Sequence, residues 1–449
     1  MDHKAIQPLL KLIERVKKAG MDQADAFYQW ARNTEVSARD GEVENLKQSV
    51  SAGVGLRVFD KQRLGFGFTS DLTSSGLNAL ADRVTAIARE TAIDKNNGLP
   101  DPALFSKKLA APKIFDPQIQ ELPTKWLIDA AITMEKVALA QDKRIKTCED
   151  ASAGSYVGEV GLANSAGFSG HYQQSYVWIY TGVVAEENDQ KQSGSFVDYA
   201  SFFNDLKNPE DVAKEAARRG LRMLGARKIE SAEMPVIYEP DMTKSFMGQV
   251  IGAMNGDLIY KKSSFLLDKL GKPIASPLIT ITDDGTLDRR TGSQPFDGEG
   301  LPARRQVLIE KGVLKQYLYD TYTANKAGVK PTGTANRSYA SLPGIGTTNL
   351  LLEPGDKTPD QLYKGIKKGL LVCKIMGFGA NPVNGDYSLG ANGCLISNGE
   401  LATPVHEITL AGNLSTMLPD IDAVGNDLVW RGSSGAPSIR FAKLMVSGK

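Results

Sequence analysis

The chain has 449 residues, 41% of them hydrophobic and 23% charged, with 53 Lys plus Arg against 52 Asp plus Glu. That length exceeds what one hydrophobic core usually serves, so two domains are expected, and the near-zero net charge provides no field to gather nucleic acid. No apolar run approaches the roughly 18 residues that mark a bilayer-crossing helix, and three widely separated cysteines, Cys148, Cys373 and Cys394, argue against a disulfide framework. The opening Met1-Asp2-His3-Lys4 leads into an amphipathic pattern without the apolar core of a secretory signal. The expectation is a cytoplasmic protein, with neither membrane nor nucleic acid as a partner.

Ile6, Leu9, Leu10, Ile13 and Val16 recur at helical spacing, with Asp2 as a candidate cap and Gly20 as terminator. Residues 25–69 then alternate like strands, with Asp40-Gly41 as a hairpin turn and residues 60–63 as a polar connection. Leu77, Leu80, Ala81, Val84, Ile87 and Ala88 mark a second helix, and a third starts near Thr124 with Leu127, Ala130, Ala131, Met134 and Ala138 as its stripe. Residues 145–200 read as strands broken at 164–167 and 187–189. Asn208, followed by Pro209, Glu210 and Asp211, combines a cap, a first-turn proline and acids at the positive end of the helix dipole, so it opens a fourth helix.

The polar stretch 226–233 divides the chain into an N-terminal domain, 1–228, and a glycine- and turn-rich C-terminal domain, 229–449. In the second half, residues 234–238, 278–282, 305–309, 314–319 and 406–410 read as strands, and 359–371 as a helix. The predicted class is α+β, each domain a largely antiparallel sheet flanked by helices.

A screen for chemistry excludes several classes. There is no P-loop, and Pro382 occupies the place of the third glycine in a dinucleotide fingerprint begun by Gly377-Phe378-Gly379. Gly432-Ser433-Ser434-Gly435-Ala436 misses the nucleophile elbow by one place and reads as a surface turn. His3, His171 and His406 are too far apart in sequence to form a helical metal pair, and the sequence leaves open whether His171 or His406 lies near a cysteine. The acid pairs Asp283-Asp284, Asp297/Glu299 and Glu186-Glu187 are expected to be solvated. None of this identifies an active site.

Several stretches nevertheless resemble one family. They are Gly41-Glu42-Val43-Glu44-Asn45 followed by Gly53-Val54-Gly55-Leu56-Arg57-Val58-Phe59; Asn164-Ser165-Ala166-Gly167; the run from Lys262 to Lys272; Pro295-Phe296-Asp297-Gly298-Glu299-Gly300; Gly385-Asp386-Tyr387-Ser388-Leu389-Gly390-Ala391; Ile408-Thr409-Leu410-Ala411-Gly412-Asn413-Leu414; and Val424-Gly425-Asn426-Asp427. In this order they span nearly the whole chain and resemble the TldD/PmbA family of metallopeptidases, also known as modulators of DNA gyrase. In that family the TldD type holds a catalytic zinc with a helical H-E-x-x-x-H followed by Gly-Asp and with a cysteine near the C-terminus. Counted back from Gly256-Asp257, the motif positions fall here on Met247, Gly248 and Gly252, and residues 424–439 contain no cysteine. Both departures match the PmbA (TldE) type.

The resemblance implies a noncatalytic subunit that pairs with a TldD-type chain in a peptidase acting on unfolded or peptide-like substrates. It further implies no metal or cofactor in this chain, zinc in the partner, and a homodimer when alone. Asn381, Asp386 and Tyr387, in a glycine-rich turn, are candidate substrate-groove residues. Two other readings stay open: a stand-alone homodimeric peptide hydrolase or peptide-binding protein, and a direct binder of gyrase or DNA.

Overall fold

The computed structural model describes residues 3–448; Asp2, the candidate cap of the first helix, lies outside them. The N-terminal elements are α1 (His3–Lys18), β1 (Gln23–Arg39), β2 (Glu42–Asp60), β3 (Arg63–Thr69), α2 (Ser74–Glu90), the single-turn α3 (Pro117–Gln120), α4 (Thr124–Leu139), β4 (Ile145–Asn164), β5 (Ser169–Glu187), β6 (Gln190–Ala200) and α5 (Pro209–Leu221). The six strands form one antiparallel sheet in the order β3-β2-β1-β4-β5-β6. The turn between β1 and β2 has positive φ at both central residues, 55° at Asp40 and 77° at Gly41, the twist that a tight hairpin requires.

The sheet is covered by helices in two places. α1 and α2 bury Leu9, Ile13, Leu80 and Val84 against Ala26, Val54, Leu56 and Val58. α4 and α5 bury Leu127, Met134, Val212 and Ala216 against Val36, Ala153, Ile179 and Val183. Each fully buried large aliphatic side chain contributes about 1.5–3 kcal/mol, so the helical stripes read from sequence also hold the sheet. Asn208 caps α5 as expected, its Oδ1 accepting from Glu210 N at 2.9 Å.

The remaining strands all come from residues 232–447 and make two further six-stranded sheets and a two-stranded ribbon. One sheet has the order Val313–Leu314, Arg305–Glu310, Ile281–Asp284, Leu350–Leu352, Ser434–Ala436, Val429–Arg431. The other runs Glu400–Asn413, Asp386–Ser397, Lys368–Ala380, β7 (Ala232–Tyr238), Ile439–Ser447, Ile421–Val424, and Glu400–Asn413 also pairs with Ile439–Ser447, closing five of these strands into a ring. Helix α6 (Pro240–Gly252) follows β7 directly.

Three local expectations fail here. The helix expected over 359–371 is confined to Pro359–Tyr363. Leu370, Leu371 and Val372 instead extend in Lys368–Ala380 beside Val236, Ile237 and Tyr238 in parallel register. Their apolar run suits a strand buried on both faces, a pattern that a buried helix segment mimics. In the segment expected to be a strand over 314–319, only Leu314 belongs to a strand, Val313–Leu314; Leu318 forms an isolated bridge to Asn255, and Tyr317 donates its hydroxyl to the Leu266 carbonyl at 2.6 Å. The strand expected over 278–282 is displaced to Ile281–Asp284.

Candidate functional site

Helix α6 carries Met247, Gly248 and Gly252, the positions onto which the resemblance carries the zinc motif. Pro240 at its first turn and Asp241 behind it favour initiation, and Thr243, Phe246, Met247, Val250 and Ile251 form the buried face. Phe246 packs edge-on against Tyr238, Tyr387 and Phe441, with ring centroids 5.3–6.1 Å apart. Gly248 and Gly252, four residues apart, lie on the exposed face, and a Cβ added at either would meet nothing within 4 Å. The next helix, Gly256–Tyr260, is capped by Asn255, whose Oδ1 accepts from Asp257 N at 2.9 Å. Gly256 itself is required by close approach, since a Cβ there would collide with the Tyr319 ring.

Met247 is 2% exposed within the core, whereas Gly252 faces outward. On a regular α-helix residues five apart are separated by about 140° around the axis, so the first and last motif positions point different ways. The thioether is buried and the two glycines present no donor. These positions do not fit a zinc ion, and among the described residues no three His, Cys, Asp or Glu side chains are grouped to hold a metal.

The C-terminal hairpin that the sequence marked as lacking a cysteine does reach this helix. Val429–Arg431 and Ser434–Ala436 pair across Gly432 and Ser433, and Arg431 Nε lies 3.3 Å from Asp241 Oδ1 in the first turn of α6. The structure thus brings the two distant segments together, but as an Arg–Asp contact.

The groove candidates are placed differently from one another. Tyr387, expected as a groove residue, is instead a core residue, 1% exposed, with its hydroxyl 2.8 Å from that of Tyr238; burial pushes it up to about 12. Strand alternation explains the correction, because Asp386 and Ser388 on either side face outward. Asn381 and Asp386 are exposed and close the turn between two strands: Asn381 N donates to the Asp386 carbonyl at 2.7 Å, and Asn413 Nδ2 donates to Asp386 Oδ1 at 3.0 Å.

The acids expected to be solvated are mostly buried, a second correction. Asp283, Asp284, Asp297 and Glu299 are 0, 7, 2 and 2% exposed, while Glu186 and Glu187 are partly exposed. Asp297 and Glu299 sit at the junction of the two halves. Arg57 on β2 donates to Asp25 on β1 at 2.6 Å and reaches Glu299 at 3.5 Å, and Arg337 donates to the other Asp25 oxygen at 3.1 Å. Thr321 donates to Glu299 Oε2 from both N and Oγ1 at 2.7 Å. Asp297 accepts from the backbone N–H of Glu299, Leu301 and Ala335 at 2.9–3.0 Å.

Burial tends to raise the Asp25 carboxyl, but Arg337 and Arg57 together hold it below the usual range. Burial and the neighbouring Glu299 charge push Asp297 up to about 7. Sequence reasoning missed this cluster because its members are up to 312 positions apart. The one available signal was that Arg57, Asp297 and Glu299 all lie within the stretches that carry the family resemblance.

Among the described residues no histidine is hydrogen-bonded to a cysteine. His171 is hydrogen-bonded to Glu159 across two strands of the first sheet, and His406 lies 3.5 Å from Glu407 in the ring of strands. Burial pushes the Cys148 thiol up to about 12, the opposite of what a nucleophile needs. Cys373 and Cys394 lie beneath Met223 and Ala226.

Comparison with known proteins completes the assignment. The chain matches family models described as PmbA/TldA metallopeptidase domain 1 over residues 24–88, central domain over 117–224 and C-terminal domain over 231–448. It is 33% identical over 428 residues to the metalloprotease PmbA of Escherichia coli O157:H7, covering 95% of this chain and 93% of that one. A metalloprotease TldD homolog of Haemophilus influenzae is 28% identical, covering 94% and 89%. A Bacteroides thetaiotaomicron crystal structure, described as a candidate modulator of DNA gyrase, superimposes with a TM-score of 0.92 at 30% identity over 100% of both chains. TldE of Thermococcus kodakarensis shares the fold at a TM-score of 0.89 and 23% identity, covering 98% of this chain and 100% of that one. The chain belongs to the PmbA/TldD metallopeptidase family.

Proposed function

We propose that this chain is the noncatalytic, PmbA/TldE-type subunit of a two-chain peptidase whose TldD-type partner carries the zinc and whose substrates are unfolded or peptide-like. The observation that carries the reading is the composition of α6: a buried Met247 and two donor-free glycines, Gly248 and Gly252, stand at the motif positions. Two imidazoles and a glutamate would be needed there to bind zinc and take a proton from its water. The helix is nevertheless kept and packed, which suits a subunit that supplies wall and interface. Relatives named for both types, PmbA and TldD, support a family in which two kinds of chain exist.

Reconstitution tests the reading. Co-expressed with a TldD-type chain, the protein should co-purify; alone it should carry no stoichiometric zinc and cleave no peptide, whereas the complex should cleave and lose activity with a chelator. Peptide cleavage by this chain alone that survives the chelator would overturn the proposal in favour of a stand-alone hydrolase. Salt-sensitive DNA binding would favour the gyrase or DNA reading.

A further inference from the structure

A cleft of about 580 Å³ lies where the two halves meet. One wall is the end of β6, Asp198, Tyr199 and Ala200; the other is Val429, Trp430 and Arg431. Each wall is the last strand of its sheet. Edge strands present unpaired main-chain groups, which an extended peptide can satisfy by adding as a further strand.

The charges of the cleft are unevenly matched. Asp205 takes Arg289 at 2.6 Å, Asp288 accepts from Lys113 N at 2.8 Å, and Asp198 accepts from Lys207 N at 2.9 Å, so every carboxylate in the lining has a partner. Arg431 is shared between Asp198 at 3.8 Å and Asp241 at 3.3 Å. Arg290 differs. Its guanidinium lies 4.1 Å over the Trp430 ring, and among the described residues its side chain makes no ion pair or hydrogen bond. Burial lowers its pKa, and only the charge of Asp205 offsets that. A guanidinium held 4.1 Å from the centre of an indole ring, with none of its N–H donors engaged by the described residues, is free to receive a carboxylate through two parallel hydrogen bonds.

We propose that this cleft binds an extended peptide and that Arg290, held by Trp430, receives a carboxylate of that peptide. The proposal rests on the reading that the family assembly handles peptides, but it concerns this chain's own surface and is tested without the partner. The carboxylate is either the peptide's C-terminus or an acidic side chain.

Three decapeptides of one Ser/Ala/Val sequence, each with a neutral N-terminal fluorophore, distinguish these sources: one amidated and uncharged, one with a free C-terminal acid, and one amidated with a central Glu. Fluorescence anisotropy with the full chain should show one or both acidic peptides binding about tenfold more tightly than the uncharged one, and the tighter one identifies the source. Arg290→Gln should abolish the acid preference, read as the ratio of acidic-peptide to uncharged-peptide affinity. Arg290→Lys, which keeps the charge without the fork, should retain part of the preference and carries the comparison if Arg290→Gln fails to fold. Equal affinity for all three peptides on the wild type, or an acid preference that survives Arg290→Gln, would overturn the proposal. Failure here with intact reconstitution of the peptidase would leave the subunit reading standing; success here without reconstitution would do the reverse.

Discussion

Two regions that carry the family resemblance have opposite fates in this protein. At the domain junction, Asp25, Arg57, Asp297, Glu299 and Arg337 are buried and bound into one ionic and hydrogen-bonded cluster. On α6 the backbone and apolar face persist while the outward positions are reduced to Gly248 and Gly252. The difference teaches that structural chemistry and catalytic chemistry are kept for separate reasons. A buried charge cannot be replaced singly without leaving its partner stranded, whereas glycine at the exposed positions 248 and 252 costs only a little helix propensity.

The largest effect should come from the junction. Arg57→Met leaves the Asp25 and Glu299 carboxylates buried with only Arg337 and Thr321 to answer them, and should destabilise by about 3–5 kcal/mol in urea unfolding. A loss below about 1 kcal/mol would mean that the cluster is not a latch between the halves.

On α6 the strongest response is expected from the buried position. Met247→His places an imidazole in a site 2% exposed and should cost about 2–4 kcal/mol. Combined with Gly248→Glu and Gly252→His, it recreates the motif letters without the geometry, because the two rings leave a regular helix on different sides and no cysteine lies within 424–439. Micromolar or tighter zinc binding by the triple variant, measured by isothermal titration, would contradict the emptied-motif account.

A smaller, pH-dependent effect separates the junction acids from ordinary surface carboxylates. Asp297 is raised to about 7 in the folded state, above its unfolded value, so the native state holds its proton more tightly. The stabilisation this gives is present at low pH and is lost as pH rises from the unfolded value near 4 through about 7. Asp297→Asn lacks that term. The variant should be less stable than wild type, because its amide opposes the Ala335 N–H, and the deficit should shrink between pH 5 and 8. A deficit that grows over this range would reverse the sign of the argument.

The smallest effect is the most specific to the emptied face. Gly248→Ala has open space and a helical backbone, and should stabilise by up to about 1 kcal/mol, whereas Gly256→Ala, against the Tyr319 ring, should destabilise. Thermal melts of the two variants moving in the same direction would erase the distinction between a vacated position and a packing glycine.

The N-terminal half was legible because its elements are long and all its strand pairings but β1 with β4 are sequential: Leu77 to Ala88 and Leu127 to Ala138 carry clean helical periods, and Asp40-Gly41 marks its own hairpin. In the C-terminal half the strands at 234–238, 305–309 and 406–410 were legible, whereas Asp386–Ser397 and Ile439–Ser447 were not read. Leu370–Val372 misread as helix because a strand buried on both faces shows no alternation, and Tyr387 misread as groove because a turn sequence does not reveal which way the following strand faces.

The sequence by itself determined the α+β class, the family and the absence of a zinc donor at Met247, Gly248 and Gly252, since periodicity and residue identities are local properties of the chain. Only the tertiary structure decided that Glu299 is a buried partner of Arg57, that Asp297 is buried among the backbone N–H groups of Glu299, Leu301 and Ala335, and that Arg290 lies on Trp430 beside two edge strands. Burial and pairing depend on which distant segments meet, and side chains more than two hundred residues apart, such as Arg57 and Glu299, acquire their chemistry only once the halves close and exclude water.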